Sequence, residues 1–531
     1  MRLRAAMIGV AAAALSVSAC TTMDGAGATA SAGNVPQLQT AYGAVTGTRE
    51  GASNDVNVFR GIRYAATTAG RRFQLAADPE PWTTARPATE FGSECPQRPS
   101  GDVPVFKSWE NSVGTSEDCL FLNVWTRGLS DGKKRPIMVW LHGGGYVTGS
   151  GSSNGYDGSR LAERGDVVVV TLNHRLNGLG YSYLAGLSDD PKYADSGNLG
   201  SLDIVKALEW VRDHADEIGG DAGNVTIFGE SGGAAKVSTL MGMEQAKGLF
   251  QRAGVMSGSA LRMMPPEMAS ATAKRLLDAL EIAPGDVRKL QQVPWTTLLE
   301  TQAGLEAADR ARGEAPRSFA PVVDGITLPR HPWDPDAPSI SADVPMIVSS
   351  VLDERSYRMG DFAMDEAGLL AFAKERLGER AAEAVAAYRA EDPDAKPFLL
   401  AARMDSDLTF RKGAFAQAEL KARQGGAPVW TYLWTEPSPA VDGRFGAVHG
   451  IDVAPSLYNT RGALNGSSPA ANELAAAIAG SWAAFAANGD PNNERVPEWN
   501  PYSAPQRTTM IFDQDLRVED DPRAEFRKYW R

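Results

Sequence analysis

The chain carries three copies of Gly-x-Ser-x-Gly, the pattern that can expose a nucleophilic serine. The copies at residues 128–132 and 151–155 lack the combination of a predicted buried strand directly before them and a predicted helix directly after them. The third, GESGG at residues 229–233, follows the apolar run VTIF and precedes AAKV, a setting typical of a strand–turn–helix elbow. Because its flanking glycines leave room for the sharp turn, the sequence predicts Ser231 as an exposed nucleophile at a helix N-terminus.

A serine hydroxyl needs a neighbouring base to take its proton, and in this arrangement the base comes last in the chain, after an acid. The chain has five histidines. His142 opens a glycine-rich loop, and His174 precedes an arginine just after a predicted strand. His214 falls inside a predicted helix, and His331 lies upstream of the expected acid. Position and elimination therefore predict His449 as the base.

The acid that orients the base should follow the strand between nucleophile and base. The apolar run at residues 345–351 leads directly into Leu-Asp-Glu-Arg, so two carboxylates compete for this role. Either Asp353 or Glu354 could accept the Nδ1 proton of His449, hold the useful tautomer and stabilise the imidazolium. From the residues alone, both remain open.

Acyl transfer also needs hydrogen-bond donors for the developing oxyanion. The HGGG segment at residues 142–145 directly follows the predicted strand at residues 137–141. Glycines let backbone N–H groups approach that oxygen, and the N–H of Gly232 would complete a three-donor hole. A phosphate-binding loop is the alternative, but no Gly-Lys-Ser/Thr follows the glycines and the serine elbow is present.

The elements that must position these residues are short, nearly continuous apolar runs, which are typical of strands covered on both faces. The runs lie at residues 137–141, 167–172, 225–228, 345–351 and 429–434. Between two of them, apolar residues recur every three or four positions over residues 202–218, which predicts an amphipathic helix. Alanine-rich stretches at residues 367–390 and 470–487 predict further helices. We therefore expect an α/β fold with a large, mostly parallel sheet and ligands beyond the carboxyl ends of its strands.

Composition restricts the class of protein further. Of the 531 residues, 43% are hydrophobic and 22% charged, as in an ordinary globular protein with ample material for a core. The net charge of −12 argues against a nucleic-acid partner, because binding a phosphate backbone requires an excess of Lys and Arg.

The N-terminus has the pattern of an export signal: arginines, then an apolar alanine-rich run, then small residues. Its end, Val-Ser-Ala-Cys, resembles a lipobox, which predicts a lipoprotein signal peptide at residues 1–19 and a diacylglycerol on Cys20. An ordinary secretory signal with an incidental cysteine is the alternative. Residues 20–36 would form a flexible tether and residues 37–531 one domain. We expect a protein of the bacterial periplasm or cell envelope whose membrane contact is the lipid anchor alone.

Two further cysteines, Cys95 and Cys119, form an even pair in a chain sent to an oxidising compartment. The sequence therefore predicts a disulfide between them.

With these pieces in place, the chain resembles the type-B carboxylesterases, the family of bacterial para-nitrobenzyl esterases and cholinesterases. Beyond the elbow, the likeness covers most of residues 40–513 and is carried by these segments: FRGIRYA at 59–65, SEDCLFLNV at 116–124, GNLG at 197–200, FAPVVDG at 319–325 and GDPN at 489–492. The resemblance implies an α/β-hydrolase fold with helical insertions around the active site.

The resemblance also implies roles for individual residues. The family pattern makes Glu354 the triad acid, leaving Asp353 in reserve, and implies the Cys95–Cys119 disulfide. The implied oxyanion donors are Gly144, Gly145 and Gly232. Ser259 would support the acid, and Glu230 would give electrostatic support beside the nucleophile.

The chain departs from the family pattern at several positions. Gly232 stands where the family usually has Ala, Ile204 where it has Gln, Arg355 where it has Gly, and Arg63 where it has Pro. None of these changes removes a reacting group, but the shape of the pocket and the substrate preference do not transfer from the family.

The predicted function is hydrolysis of small-molecule carboxylic esters through an acyl-enzyme intermediate, with no metal or organic cofactor. Amides, lactones or polyesters are alternative substrates, because the same apparatus cleaves them. A non-catalytic adhesion or binding module on this scaffold is the rival class; such modules typically lose a triad residue, and here all three are present. The sequence predicts no oligomeric state.

Overall fold

The computed structural model describes residues 35–99, 103–111, 113–459, 462 and 464–530. The predicted signal peptide, Cys20 and most of the predicted tether lie outside the described residues. From Val35 onward the chain forms one compact unit.

In the described part of the chain, the strands make up two sheets. In chain order the strands are β1 (Gln37–Thr40), β2 (Gly43–Thr46), β3 (Thr48–Glu50), β4 (Val56–Arg63), β5 (Arg86–Pro87), β6 (Phe121–Thr126), β7 (Arg135–Leu141), β8 (Val168–Leu172), β9 (Gly220–Glu230), β10 (Arg252–Met256), β11 (Met346–Val351), β12 (Val429–Trp434), β13 (Thr508–Phe512) and β14 (Arg517–Asp520). β1, β2 and β5 form a small sheet, and the others form one large sheet.

The helices lie between and around these strands. In chain order they are α1 (Ser159–Gly165), α2 (Asn177–Tyr181), α3 (Leu199–Asp213), α4 (Gly232–Leu240), α5 (Pro266–Ala279), α6 (Trp295–Ala311), α7 (Glu366–Leu377), α8 (Ala381–Glu391), α9 (Pro397–Ser406), α10 (Lys412–Gln424), α11 (Val453–Ser456) and α12 (Pro469–Asn488). A π-helical turn, Asp407–Arg411, joins α9 to α10. Within the described ranges, no helix combines the length and apolar character needed to cross a membrane.

The large sheet runs in the order β14-β13-β12-β11-β10-β9-β7-β8-β6-β4-β3. Its centre, from β13 to β8, is parallel, and the strands beyond at both edges pair antiparallel. Neighbouring residues of β7 and β8 contribute to different hydrophobic clusters, because successive side chains of a strand point to opposite faces. α3, α4 and α10 cover one face, while α1 and α12 cover the other. The predicted α/β class with a large, mostly parallel sheet is confirmed.

All five apolar runs form strands, as predicted, and the alanine-rich stretches are helical, but the C-terminal boundary of one predicted helix was wrong. The helix expected over residues 202–218 is α3, which ends at Asp213 because the backbone leaves helical geometry at His214 (φ −119°, ψ 16°). The stretch at residues 367–390 is two helices, since Gly378 takes a positive φ of 56° between α7 and α8. The alanine-rich stretch at 470–487 lies within α12.

Candidate active site

The predicted nucleophile lies in a strained turn at the carboxyl end of a central strand. β9 ends at Glu230 and α4 begins at Gly232, so Ser231 alone forms the connection, with φ 56° and ψ −120°. Side chains on the flanking glycines have no space: a Cβ on Gly229 would lie 2.4 Å, and one on Gly233 1.9 Å, from the carbonyl oxygen of Leu141. Such strain persists only where the surrounding structure enforces it, as at a nucleophile elbow.

Glu354 and His449 lie together although 95 positions separate them. Glu354 follows β11, and its Oε2 lies 2.5 Å from Nδ1 of His449, which donates the hydrogen bond. The other carboxylate oxygen accepts the backbone N–H of Val351 at 2.9 Å. With both oxygens occupied and no exposed surface, this carboxylate has one orientation available.

Asp353, the reserve acid, is committed elsewhere. Its Oδ2 accepts the backbone N–H of Ala447 at 2.9 Å, and its Oδ1 accepts Nε of Arg403 at 3.1 Å. Its own N–H donates to the carbonyl of Ala447 at 3.0 Å. Asp353 thus fastens the end of β11 to the loop that carries His449.

The second imidazole nitrogen faces Glu230 in this structure. Nε2 of His449 lies 3.0 Å from Oε1 of Glu230, without the alignment of a hydrogen bond. Among the described residues, no hydrogen bond joins this nitrogen to the hydroxyl of Ser231. The structure therefore assembles acid and base, and holds the base beside the residue that precedes the serine.

Two aromatic rings fix the plane of the imidazole. Tyr357 stacks on His449 with ring centroids 5.2 Å apart and an interplanar angle of 10°. Phe410, carried by the π-helical turn, packs on the same imidazole at 5.1 Å. Neither residue was predicted from the sequence, although Tyr357 follows Glu354 by three positions.

The electrostatics of the site favour a charged imidazole. Burial by itself lowers the pKa of His449, but the nearby groups Glu230, Tyr357 and Glu354 outweigh burial and raise that pKa well above its ordinary value. Another buried carboxyl group, Asp452, accepts the hydroxyl of Tyr432 at 2.7 Å. Burial raises the pKa of Asp452 to about 7. No pattern in the sequence singles out Asp452.

In the glycine loop, residues 142–145, the first three carbonyl groups accept hydrogen bonds from other parts of the chain or from the loop itself. The carbonyl of His142 accepts Nζ of Lys236 at 2.8 Å, and that of Gly143 accepts Nδ1–H of His142 at 2.9 Å. The carbonyl of Gly144 accepts the backbone N–H of Thr148 at 3.1 Å. Within the described part of the chain, the N–H groups of Gly144 and Gly145 donate to no backbone carbonyl. They remain available to a ligand.

Gly232 lies against this loop. A Cβ at Gly232 would lie 2.4 Å from the backbone nitrogen of Gly145 and 2.3 Å from its carbonyl oxygen. The backbone of the elbow and that of the loop therefore nearly touch, and only glycine fits between them. This contact gives the unusual Gly232 a physical reason that the sequence did not supply.

The loop that contains the disulfide supports the segment that follows the glycine loop. Cys95 and Cys119 are joined, with their Cα atoms 4.9 Å apart. Two residues after Cys95, the Gln97 amide accepts the N–H of Gly149 at 2.8 Å and donates to the carbonyl of Gly149 at 2.9 Å.

The remaining predicted site residue, Ser259, makes no visible contact with the acid. Its hydroxyl oxygen is shielded from solvent and has no hydrogen-bond partner among the described residues. Its support of Glu354 stays a prediction. The part of the chain that the structure describes holds no group of three or more His, Cys, Asp and Glu side chains arranged for a metal ion.

The other histidines have structural partners. Nδ1 of His174 bonds to the carbonyl of Arg175, and Nδ1 of His214 to that of Trp210, each within 2.9 Å. Nδ1 of His331 accepts the backbone N–H of Met263. His142, as described above, bonds to the next residue of its own loop.

Known esterases and other hydrolases are similar to the chain over most of its length. The model of the carboxylesterase family matches residues 34–530. The para-nitrobenzyl esterase of Bacillus subtilis (strain 168) is 35% identical over 92% of this chain and 97% of its own length. The phenmedipham hydrolase of Pseudarthrobacter oxydans is 31% identical over 87% of this chain and 93% of its own length.

Solved structures resemble the chain over a similar span. A carboxylesterase of Geobacillus stearothermophilus superimposes with a TM-score of 0.78 at 34% identity, covering 93% of this chain and 100% of its own. An esterase of Clostridium hathewayi, described as able to hydrolyse aliphatic aromatic polyesters, gives 0.80 at 30% identity, covering 94% and 98%.

Proposed function

Because the chain belongs to the carboxylesterase family and is a carboxylic-ester hydrolase, we propose that Ser231, His449 and Glu354 carry out its reaction. The observation that supports this assignment most strongly is the buried pair of Glu354 and His449, 2.5 Å apart. A carboxylate bonded to Nδ1 leaves Nε2 as the nitrogen that exchanges protons with a nucleophile. The strained turn at Ser231 lies directly after Glu230, the residue that Nε2 faces.

In the acylation step, the hydroxyl oxygen of Ser231 attacks the ester carbonyl carbon and its proton passes to Nε2 of His449. The carbonyl oxygen becomes an oxyanion, which the N–H groups of Gly144, Gly145 and Gly232 bind. As the C–O bond to the alcohol breaks, the imidazolium returns its proton to the departing alkoxide oxygen. An acyl-serine remains.

In the deacylation step, His449 takes a proton from water, and the resulting hydroxide oxygen attacks the acyl carbon. The oxyanion forms in the same hole, the bond to Ser231 breaks, and the serine oxygen regains the proton from His449. The carboxylic acid leaves. Glu354 stays ionised throughout and stabilises the imidazolium that forms in each step.

The reaction requires Nε2 to leave Glu230 and reach the serine hydroxyl. Glu230 and Ser231 are consecutive residues, and catalytic hydrogen bonds often tighten only with substrate bound. Glu230 then lies beside the imidazolium as a second negative charge.

The direct test is Ser231→Ala, with Ser130→Ala as a matched control, because Ser130 is the serine of another Gly-x-Ser-x-Gly copy and is exposed. We expect Ser231→Ala to lower kcat by about 10⁴-fold or more with folding intact, and to abolish labelling by a fluorophosphonate. Ser130→Ala should label and turn over as the wild type does. Wild-type turnover in Ser231→Ala would refute the assignment.

The kind of ester that the protein hydrolyses is a separate proposal. We propose a small-molecule carboxylic ester, and a panel of acyl and alcohol groups extended to amides, lactones and an aliphatic aromatic polyester would identify the class. Hydrolysis of the polyester alone would contradict the small-molecule proposal. A chain that neither labels nor turns over any of them would instead fit a binding module.

We propose further that residues 1–19 direct export, that Cys20 carries a lipid anchor in the cell envelope, and that residues 20–36 tether the domain of residues 37–531. The lipobox pattern and the composition of the tether support this. Replacing Cys20 by Ser should move the protein from the membrane fraction to the soluble fraction. An unchanged distribution would argue against lipidation.

A further inference from the structure

Lys236 is a buried lysine on the helix that begins behind the nucleophile. It lies in α4, five residues after Ser231, and only 1% of its surface is exposed. Its Nζ donates to the backbone carbonyl of His142 at 2.8 Å. No carboxylate among the described residues forms an ion pair with it.

The residue type is unexpected at such a position. Taking an ammonium group out of water costs free energy, and here no buried carboxylate compensates for the loss of hydration. A methionine or leucine would fill the same space without this cost. A lysine is therefore informative about what the position does, since only the N–H donors and the charge distinguish it from an apolar side chain.

The ammonium group of Lys236 donates its hydrogen bond to the glycine loop. The carbonyl that Lys236 holds is the first of the loop, and the next two are held by the ring of His142 and by the backbone of Thr148. When the carbonyl groups of a short glycine segment are fixed, its peptide planes are fixed, and so are the directions of its N–H groups. Without the lysine, the first peptide of the loop would lose this bond and gain the freedom that glycine allows.

Lys236 and Gly232 act on the loop from the same side of one helix. They are four residues apart in α4, so they lie one above the other on the same face. Because Gly232 has no side chain, the loop can pack so close that a Cβ on Gly232 would lie 2.4 Å from the nitrogen of Gly145. Lys236 bonds to the start of the same loop. A Cβ on Gly233, between them, would lie 3.1 Å from the carbonyl oxygen of His142.

We infer that Lys236 is a positioning residue of the oxyanion hole. It fixes the glycine loop through the carbonyl of His142 and places a positive charge behind the N–H groups that bind the oxyanion. The inference rests on the proposed function, because it assigns Lys236 to the hole that Gly144, Gly145 and Gly232 would form.

The groups that face the lysine agree with this role. They are the stacked imidazoles of His142 and His174, 4.7 Å apart, and the ring of Tyr146, 6.0 Å from Nζ. Burial, with the charge of Lys236 as a smaller cause, holds the pKa of both imidazoles well below its ordinary value, so they stay neutral. Burial lowers the pKa of Lys236 to about 7. An oxyanion forming nearby favours the charged ammonium, so the lysine stabilises the transition state more than the ground state.

The test compares two buried lysines. Lys421, in α10, is also fully buried and donates to two backbone carbonyls, those of Ser341 and Ala342, at 3.0 and 2.8 Å. Lys236→Met and Lys421→Met should both lower thermal stability. Only Lys236→Met should lower kcat on a para-nitrophenyl ester, by about 10- to 100-fold, with KM changed by less than about threefold.

A second readout isolates the oxyanion. An aryl trifluoromethyl ketone forms a tetrahedral adduct with an active serine and places an oxyanion in the hole. In Lys236→Met its inhibition constant should rise by about the same factor by which kcat falls. In Lys421→Met the inhibition constant should stay unchanged. Lys236→Gln, which keeps an N–H donor without the charge, should fall between wild type and Lys236→Met in both measurements.

The possible outcomes separate this inference from the proposed function. If Ser231→Ala is inactive but Lys236→Met and Lys236→Gln bind the ketone as the wild type does, the inference fails and the triad assignment stands. Equal losses of kcat in Lys236→Met and Lys421→Met would also overturn it, because a general loss of packing would explain both. Should Lys236→Met not fold, Lys236→Gln decides by its ketone affinity.

Discussion

At the scale of single residues, the defining feature is an imidazole held between two carboxylates. Glu354 lies 2.5 Å from one ring nitrogen of His449 and Glu230 lies 3.0 Å from the other. His449 must be neutral to accept the proton of Ser231, so activity is lost as the pH falls through the pKa of the imidazole. Because the carboxylates raise that pKa well above its ordinary value, the acid limb of the pH profile should lie above pH 6.5.

Removing one of these charges should move the acid limb. In Glu230→Gln, the pKa of His449 should fall, because one of the carboxylates that stabilise the imidazolium is gone, and the midpoint of log(kcat/KM) against pH should move to lower pH. Glu306→Gln is the control, since Glu306 is buried but pairs with Arg98. A midpoint that does not move in Glu230→Gln would mean that Glu230 does not contact the imidazole in solution.

The residues that could be predicted from the sequence are those with a recognisable local pattern. Ser231 has its elbow and Glu354 has a strand before it, whereas the choice between Glu354 and Asp353 depended on family resemblance. The structure supplies the physical difference: the side chain of Asp353 bonds to Ala447 and Arg403. Lys236 and Tyr357 had no such pattern, because their contacts come from parts of the fold that are distant in sequence.

At the scale of secondary-structure elements, the geometry of the site depends on the joints between strand ends and loops. Asp353 makes one such joint: its backbone N–H donates to the carbonyl of Ala447, and its carboxylate accepts the N–H of Ala447 and Nε of Arg403. His449 follows Ala447 by two residues. The joint therefore sets where the imidazole lies relative to the end of β11.

Weakening this joint should reduce both stability and turnover. Asp353→Asn removes one of the three carboxylates that pair with Arg403, the buried one, which should cost about 1.5 to 3 kcal/mol of unfolding free energy, and the looser loop should lower kcat by about 10-fold. Asp309→Asn is matched to it, because Asp309 is also fully buried and pairs with Arg275 and Arg312. Circular-dichroism melts should show losses in both variants, and kinetics should show a loss in Asp353→Asn alone. Unchanged kcat in Asp353→Asn would mean that the joint serves stability only.

The elements themselves could be predicted where apolar residues run without interruption, as in β7, β8, β11 and β12. The periodic spacing of apolar residues predicted the ends of helices less accurately than apolar runs predicted strands. The apolar spacing that forms α3 continues past Asp213 into a turn, so the pattern of burial persists where the helical hydrogen bonding does not. The π-helical turn at Asp407–Arg411 left no mark in the hydrophobic pattern, because one extra residue in a turn hardly changes the periodicity.

At the scale of the whole molecule, the disulfide joins two positions 24 residues apart and encloses the segment that contains Gln97. Cys95→Ser with Cys119→Ser should lower the free energy of unfolding by about 3.5 kcal/mol in the chain-entropy model. For a chain of this size, that corresponds to about 3 °C in Tm. Calorimetry with and without reductant checks this: reductant should lower the Tm of the wild type and leave that of the double variant unchanged. Equal melting of the two proteins would show that the bridge does not constrain the chain.

The strand order has a consequence for how the site keeps its dimensions. β10 lies between β9 and β11, with Met256 opposite both Glu230 and Ser349, yet no group of the proposed triad belongs to it. Two strand spacings, about 10 Å, therefore separate the strand that leads to the nucleophile from the strand that leads to the acid. β10 therefore sets a gap that one imidazole can bridge, with Nδ1 bonded to the acid on one side and Nε2 exchanging protons on the side of the nucleophile.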